Sequence, residues 1–158
     1  MGYVPADAKW FIAEIVEEIT VEDDPRNVVH VNYNLIRADN PEEAYEKSME
    51  LGRNGETDYD NSEGKHVRIR FVGLRNLSVM YDELEDGAEL MYEERVVSPN
   101  ELESCVVQKG KLDIFIPWSA PDFSKVPDYA AKYIMDEVER RFDLKRFKGM
   151  EPPDTDSH

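Results

Sequence analysis

The sequence predicts an α+β domain: an antiparallel sheet of about four strands, one helix packed on the buried face of the sheet, and an appended helix near the C-terminus. In several segments apolar and polar residues alternate, which is the period of a strand with one buried face. In two other segments the apolar residues recur with the helical period. Short turn sequences join strand segments that directly follow one another, and this favours antiparallel pairing.

The first two strands are predicted to form a hairpin. In residues 10–21 the alternation is broken only by Glu17, and the apolar face consists of Phe11, Ala13, Ile15, Ile19 and Val21. In residues 29–35, one face carries Val29, Val31, Tyr33 and Leu35, and the other carries His30, Asn32 and Asn34. The segment EDDPRN between the two runs is rich in turn-forming residues and supplies the connection.

A helix is predicted from Pro41 to Leu51. Asn40 precedes it as the N-cap, proline occupies the first helical position, Glu43 follows the cap by three residues, and Gly52 closes the segment. The apolar side of this helix consists of Ala44, Tyr45, Ser48 and Met49. A polar loop, GETDYDNSEG, leads from the helix to the next strand.

A long strand is predicted from Val67 to Tyr81, with a bulge or a bend near Gly73, where the alternation slips. Residues 88–96 are predicted to pair with the second half of this strand. The turn of this hairpin is DELEDG, residues 82–87, in which Gly87 is free to take a positive φ.

The same DELEDG segment resembles the start of a calcium-binding EF-hand loop. A loop that began at Asp82 would have Asp86, Gly87 and Glu93 at its fifth, sixth and twelfth positions, all of which suit calcium. However, Leu84 stands at the third position, where an oxygen ligand is required, and the flanks alternate as strands instead of helices. The hairpin turn is therefore favoured, and a weak surface site for a divalent ion stays open as the alternative.

The C-terminal part is less regular. Ser98 and Glu101 form a capping box that predicts a short helix to about Val106, and residues 112–116 are predicted to be a short strand. The proline-rich segment PWSAPDFSKVP is predicted to be an ordered loop whose Trp118 and Phe123 pack against another surface.

The last predicted element is a helix from about Pro127 to Phe147, with an apolar stripe formed by Ala131, Ile134, Met135, Val138 and Phe142. Residues 1–148 are predicted to form a single domain. Residues 149–158 are predicted to be a flexible tail.

The charge of the chain indicates what kind of partner it would bind. Thirty-five acids against 19 bases give a formal net charge of −16, and such a polyanion repels nucleic acid but attracts a basic protein. Half of this net charge lies in residues 82–103, which hold nine acids and one base. Solubility alone also explains a high charge. The candidate partner-binding residues are Asp82, Glu83, Glu85, Asp86, Glu89, Glu93, Trp118 and Phe123.

Other features bear on location and chemistry. Cys105 is the only cysteine, no basic segment followed by an apolar stretch begins the chain, and no apolar run approaches 18 residues. A cytoplasmic protein without membrane contact is therefore expected. The three histidines have no metal-ligand spacing, and no glycine-rich phosphate loop or nucleophile motif is present. We therefore expect no catalytic residue, cofactor or metal, although the scattered carboxylates leave a carboxylate-dependent hydrolase open.

Several segments carry a resemblance to a known family. These are WFIAEIVEE, the helix ADNPEEAYEKSMELG, the strand GKHVRIRFVG and the turn DELEDGAEL. Together, over about residues 8–97, they are similar to a bacterial family catalogued as domain of unknown function 4288. The resemblance implies a small bacterial α+β protein and supplies no activity or catalytic residues. Residues 98–148 form an extension beyond it.

These observations favour a non-catalytic protein-binding or regulatory module whose acidic face meets a basic protein. The alternatives are an immunity-type inhibitor of a basic toxin or nuclease, and the carboxylate-dependent hydrolase. A sheet of so few long strands also leaves edges that invite pairing, so a homodimer is expected.

Overall fold

The structure is a computed structural model that describes residues 3–131. Four strands, β1 (Trp10–Val21), β2 (Val28–Arg37), β3 (Thr57–Asp60) and β4 (His66–Val79), form one antiparallel sheet in the order β2-β1-β4-β3. One α-helix, α1 (Pro41–Asn54), packs on the sheet. The predicted α+β class and the antiparallel four-stranded sheet with one packed helix are confirmed. Of the helices in residues 3–131, none has the length and hydrophobicity needed to cross a lipid bilayer.

The central strand β1 organises the core. It pairs with β2 along one edge and with β4 along the other, and its residues from Phe11 to Ile15 are all buried. On the face that carries α1, a hydrophobic cluster of buried residues consists of Phe11, Ala13, Ile15, Ile36, Ala38 and Ala44. A second cluster, around Ile19, Val21 and Val67, fills the far end of the sheet.

The irregularity predicted near Gly73 is confirmed as two bulges in β4. Val72 and Arg75 have no partner residue on β1, and Gly73 between them has a φ of 154°. Each bulge shifts the alternation by one residue. As a result Phe71, Leu74 and Leu77 all face the helix although they lie three residues apart.

The start of α1 follows the prediction, and its end does not. The Asn40 side chain accepts a hydrogen bond from the Glu43 N–H at 2.9 Å, and Pro41 takes the first helical position. The helix continues to Asn54, past Gly52. A Cβ on Gly52 would lie 2.4 Å from the Phe71 ring, so this glycine permits close helix-sheet packing and does not end the helix.

Two predicted strands in the C-terminal part are wrong, and one strand was missed. Residues 88–96 make no ladder, and residues 112–116 contain a 3-10 turn, Asp113–Phe115, in place of a strand. The Glu89 N–H is taken by the Asp82 carboxylate at 2.9 Å, a local hydrogen bond that competes with strand pairing. Strand β3 instead lies within the segment predicted to be a polar loop.

The predicted helices of the C-terminal part are only partly present. Only half of the predicted capping box forms, since the Ser98 N–H and hydroxyl both donate to the Glu101 carboxylate, at 2.9 and 2.6 Å. A 3-10 turn, Leu102–Cys105, follows in place of the predicted helix. Residues 127–131 are not helical, so the helix predicted from about Pro127 does not include them. The remainder of that predicted helix and the predicted tail lie outside the described residues.

Candidate partner-binding surface

The long run from Asp82 to Val126 is the most exposed part of the described chain, and we call it the arm. Its residues are exposed to solvent with two half-buried exceptions, Ala88 and Met91. We divide it into an acidic half, residues 82–103, and an apolar half, residues 104–126. The arm leaves the sheet immediately after Met80, whose N–H donates to the Trp10 carbonyl at 2.9 Å.

The acidic half begins with a tight turn. The Ala88 N–H donates to the Glu85 carbonyl at 3.1 Å, and Gly87 has a φ of 85°, as the sequence predicts. The turn therefore exists, but it does not join two strands. The six predicted acidic residues of the partner site, Asp82, Glu83, Glu85, Asp86, Glu89 and Glu93, are all exposed.

Little positive charge offsets these carboxylates. Glu93 pairs with Arg95 at 3.0 Å, an exposed ion pair of the kind that contributes little stability. The Ser98 hydroxyl donates to the Glu101 carboxylate and holds the pKa of Glu101 below its ordinary value. Among residues 3–131, no group of three or more His, Cys, Asp or Glu side chains is arranged to hold a metal ion. With nine acids and one base, the acidic half presents a surface of negative charge.

The apolar half exposes many large hydrophobic side chains. Ile114 is 86 % exposed and Val106 is 74 % exposed, and in the acidic half Val96 is fully exposed. The other large apolar residues of the apolar half that are exposed are Val107, Leu112, Phe115, Ile116, Trp118, Phe123 and Val126. None of these side chains is buried against the sheet, although several have aromatic or branched side chains typical of a core.

The far end of the arm is fastened to the sheet by Arg26. Its guanidinium donates to the carbonyl oxygens of Ser124 and Phe123, at 3.0 and 3.4 Å. Asp24 fixes this guanidinium through two hydrogen bonds of 2.9 and 2.7 Å. The hydrogen bond from Arg26 lowers the pKa of Asp24 from its ordinary value of 3.8 to about 2.

After the arm, hydrogen bonds attach the chain to β3 and to Asn61, the residue that follows β3. The Tyr59 hydroxyl donates to the Tyr129 carbonyl, and the Asn61 side chain donates to the Asp128 carbonyl at 2.8 Å. Ala131 then forms an isolated antiparallel bridge with Asn61. The arm is therefore a loop with two fixed ends.

The structure separates the predicted partner-binding residues. Asp82 and Glu83 line a cavity together with Trp10, at the start of β1, whereas Phe123 lines a cavity with Val21, at its end. Because β1 rises about 3.3 Å per residue, these two places lie roughly 36 Å apart along the strand. Trp118 is about half exposed, in the apolar half. The predicted residues thus lie along an extended surface and not in one pocket.

A cavity of about 460 Å³ separates the acidic half from the second half of β4. Its apolar lining includes Val4, Leu77 and Leu90, and its polar lining includes Asp82 and Glu89. It occupies the place where the sequence predicts a hairpin ladder. Residues 89–92 line the cavity together with residues 76–79 of β4 and do not pair with them, so the outer edge of this half of β4 borders the cavity.

The sequence did not reveal an ion pair on the face of the sheet opposite α1. Glu14 is only 5 % exposed, and its carboxylate accepts a hydrogen bond from Arg75 Nε at 2.5 Å. Arg75 also donates to the Tyr33 hydroxyl at 2.6 Å, and the hydrogen bond to Glu14 raises the pKa of Arg75. The bulge places Arg75 here, and no local sequence signal connects it with a residue 61 positions away.

Comparison with known proteins gives a family and no activity. A family model described as Domain of unknown function (DUF4288) matches residues 10–92. The match covers the sheet, α1 and the first part of the acidic half. No curated protein and no solved structure matches the chain.

Proposed function

Because the chain belongs to the domain of unknown function 4288 family, whose description assigns no activity, we propose a function from its surface: a non-catalytic protein-binding or regulatory module whose arm contacts a basic protein. One observation carries the proposal. The arm exposes a long series of large apolar side chains directly beside a dense group of carboxylates.

The apolar side chains are the first support for a binding role. Soluble proteins rarely expose contiguous apolar patches larger than a few hundred Å², and larger patches mark interaction sites. Side chains as exposed as Ile114 and Val96 contribute little to the stability of the isolated chain, because little of their apolar surface is removed from water. A partner that covered them would gain that burial on association.

The carboxylates indicate the charge of this partner. With nine acids and one base, the acidic half attracts a positively charged surface and repels a negatively charged one. Charges at the rim of an interface act mainly on the association rate. An immunity-type inhibitor of a basic toxin or nuclease is one form of this proposal, since it would use the same surface. No observation among the described residues favours the hydrolase alternative.

The test compares two doubly neutralised variants. Glu83→Gln with Glu85→Gln removes two carboxylates from the arm, and Glu46→Gln with Glu50→Gln removes two exposed carboxylates from α1. A partner is isolated with the wild-type chain as bait, and its association rate with each variant is measured at several salt concentrations. We expect the arm variant alone to associate more slowly, by about threefold or more, with a weaker salt dependence.

The melting temperatures of both variants serve as the control for folding. Neither pair of side chains is buried, so we expect both variants to melt like the wild type. Equal association rates for the arm variant and the wild type, or equal slowing by the two variants, would contradict the proposal.

A further inference from the structure

The geometry points to a second interaction surface, the outer edge of β2. We infer that two copies of the chain pair through this edge in antiparallel orientation, so that their sheets become continuous. This surface is distinct from the arm, and its occupant is a second copy of the same chain.

The backbone groups available on this edge follow from the ladder with β1. The Ala38 N–H donates to the Lys9 carbonyl, and the register continues without interruption from Arg37 opposite Trp10 to Val28 opposite Ile19. Since antiparallel hydrogen bonds alternate along a strand, the even-numbered residues of β2 bond to β1. The N–H and C=O groups of Val29, Val31, Tyr33 and Leu35 therefore point outward from the sheet.

In the described part of the chain, β2 is the edge strand that has no protection. Its sequence, VVHVNYNLIR, contains no proline, lysine, glycine or acid, and its pairing with β1 has no bulge. Natural sheets use such features to prevent pairing between exposed edges. The opposite edge of the sheet has several of these protective features. Strand β3 is only four residues long and contains two acids, and β4 has two bulges. In addition, the Glu56 side chain accepts a hydrogen bond from the Phe71 N–H, so that this edge donor is already used.

The distribution of charge supports a second copy as the occupant. Two chains that each carry −16 repel each other, yet β2 contains no carboxylate and includes the cation Arg37. Asp82 and Glu83 line one cavity with Arg37, and antiparallel pairing puts the two Arg37 residues at opposite ends of the interface. Beyond about 8 Å, salt screens the remaining repulsion at physiological ionic strength. Added salt is expected to strengthen this self-association, whereas it weakens binding of a basic partner to the arm.

The side chains and the backbone favour one register, centred on Asn32. In this register Val29 lies opposite Leu35 of the partner subunit, and Val31 lies opposite Tyr33 of the partner subunit. All four residues lie on the sheet face opposite α1, where Val29, Tyr33 and Leu35 are exposed. The ladder ends before Arg37, whose carbonyl already accepts a hydrogen bond from Lys47 Nζ at 2.8 Å. This pairing would form about eight backbone hydrogen bonds.

The first test uses a matched pair of valines on the two edges of the sheet. Val29 on β2 and Val72 on β4 are 58 % and 63 % exposed, so Val29→Glu and Val72→Glu add the same charge at similar exposure. Sedimentation velocity of the full chain at low and high micromolar concentration gives the mass. We expect the wild type and Val72→Glu to reach twice 18.3 kDa, and Val29→Glu to dimerise about tenfold more weakly or not at all.

A second variant tests the backbone pairing itself. The Val31 N–H points away from β1, so Val31→Pro removes a donor from the proposed interface and leaves the β1 ladder intact. We expect a folded monomer by circular dichroism and mass. If Val31→Pro does not fold, Val29→Glu decides the question by itself.

Three results would overturn the inference. They are a mass of 18.3 kDa for the wild type at every concentration, unchanged dimerisation of Val29→Glu, and equal weakening by Val72→Glu. Ile114→Ser distinguishes this surface from the arm. It leaves the dimer unchanged if β2 forms the interface, and loss of the dimer would assign self-association to the arm instead.

Discussion

The second half of β4 and residues 88–96 are both predicted to be strands from alternating apolar residues, but only β4 forms a strand. In β4 the ladder partner is β1, and α1 covers the apolar face. Residues 89–92 line a cavity, and the Glu89 N–H donates to the Asp82 carboxylate. Alternation therefore produces a strand where another strand and a covering layer are both present. Where both are missing, the same pattern leaves apolar side chains exposed to solvent, and this is how the arm differs from the sheet.

Truncation of one isoleucine in each region gives the largest expected difference. Ile19 in β1 is 1 % exposed, and Ile114 in the arm is 86 % exposed. We expect Ile19→Ala to lower the free energy of unfolding by about 2–5 kcal/mol, because it leaves a cavity in the core. We expect Ile114→Ala to change it by less than about 0.5 kcal/mol. Urea denaturation measures both values, and similar losses would show that the arm is part of the folded core.

Substitution of one glycine in each region by alanine is expected to give a smaller difference in stability. A Cβ on Gly52 would lie 2.4 Å from the Phe71 ring, whereas a Cβ on Gly110 would meet no atom within 4 Å. Gly52→Ala is therefore expected to destabilise the protein by about 1–3 kcal/mol through overpacking, despite the higher helix propensity of alanine. Gly110→Ala is expected to be neutral or slightly stabilising. A Gly52→Ala variant as stable as the wild type would show that α1 can move away from β4 without loss.

The junction between the two regions predicts a dependence on pH. The pKa of Asp24 is lowered from 3.8 to about 2 because Arg26 donates to its carboxylate. A carboxyl group with a lowered pKa contributes stability above its unfolded pKa and loses that contribution as the pH falls through the folded pKa. The difference in unfolding free energy between the wild type and Asp24→Asn should be constant at neutral pH and decrease between about pH 4 and 2. A difference that stays constant over this range would contradict the proposed role of the Asp24 carboxylate.

The parts of the fold that the sequence predicts well are local ones. The start of α1 follows from Asn40, Pro41 and Glu43, and the slip in alternation at Gly73 indicates the bulges. The positive φ of Gly87 follows from its place in the turn. Each of these features depends on residues that are close together in the sequence.

The features that the sequence does not predict depend on distant residues. The choice of β1 as the partner of β4 and the contact between Glu14 and Arg75 join residues more than 40 positions apart. Strand β3, TDYD, was missed because a short polar edge strand has only Tyr59 to indicate a buried face. Similarly, the charge of residues 82–103 predicts an acidic surface but not its distance from Phe123.

Amide hydrogen exchange of the isolated chain, followed by mass spectrometry, measures directly whether the arm lies exposed beside a folded sheet. Exchange reports local opening, which is rare in a central strand and frequent where backbone groups face solvent. We expect peptides from residues 93–126 to exchange within seconds and those from β1 and β4 to stay protected at least about a hundredfold longer. Protection of residues 93–126 equal to that of β1 would contradict this arrangement, because the arm would then be part of the folded core.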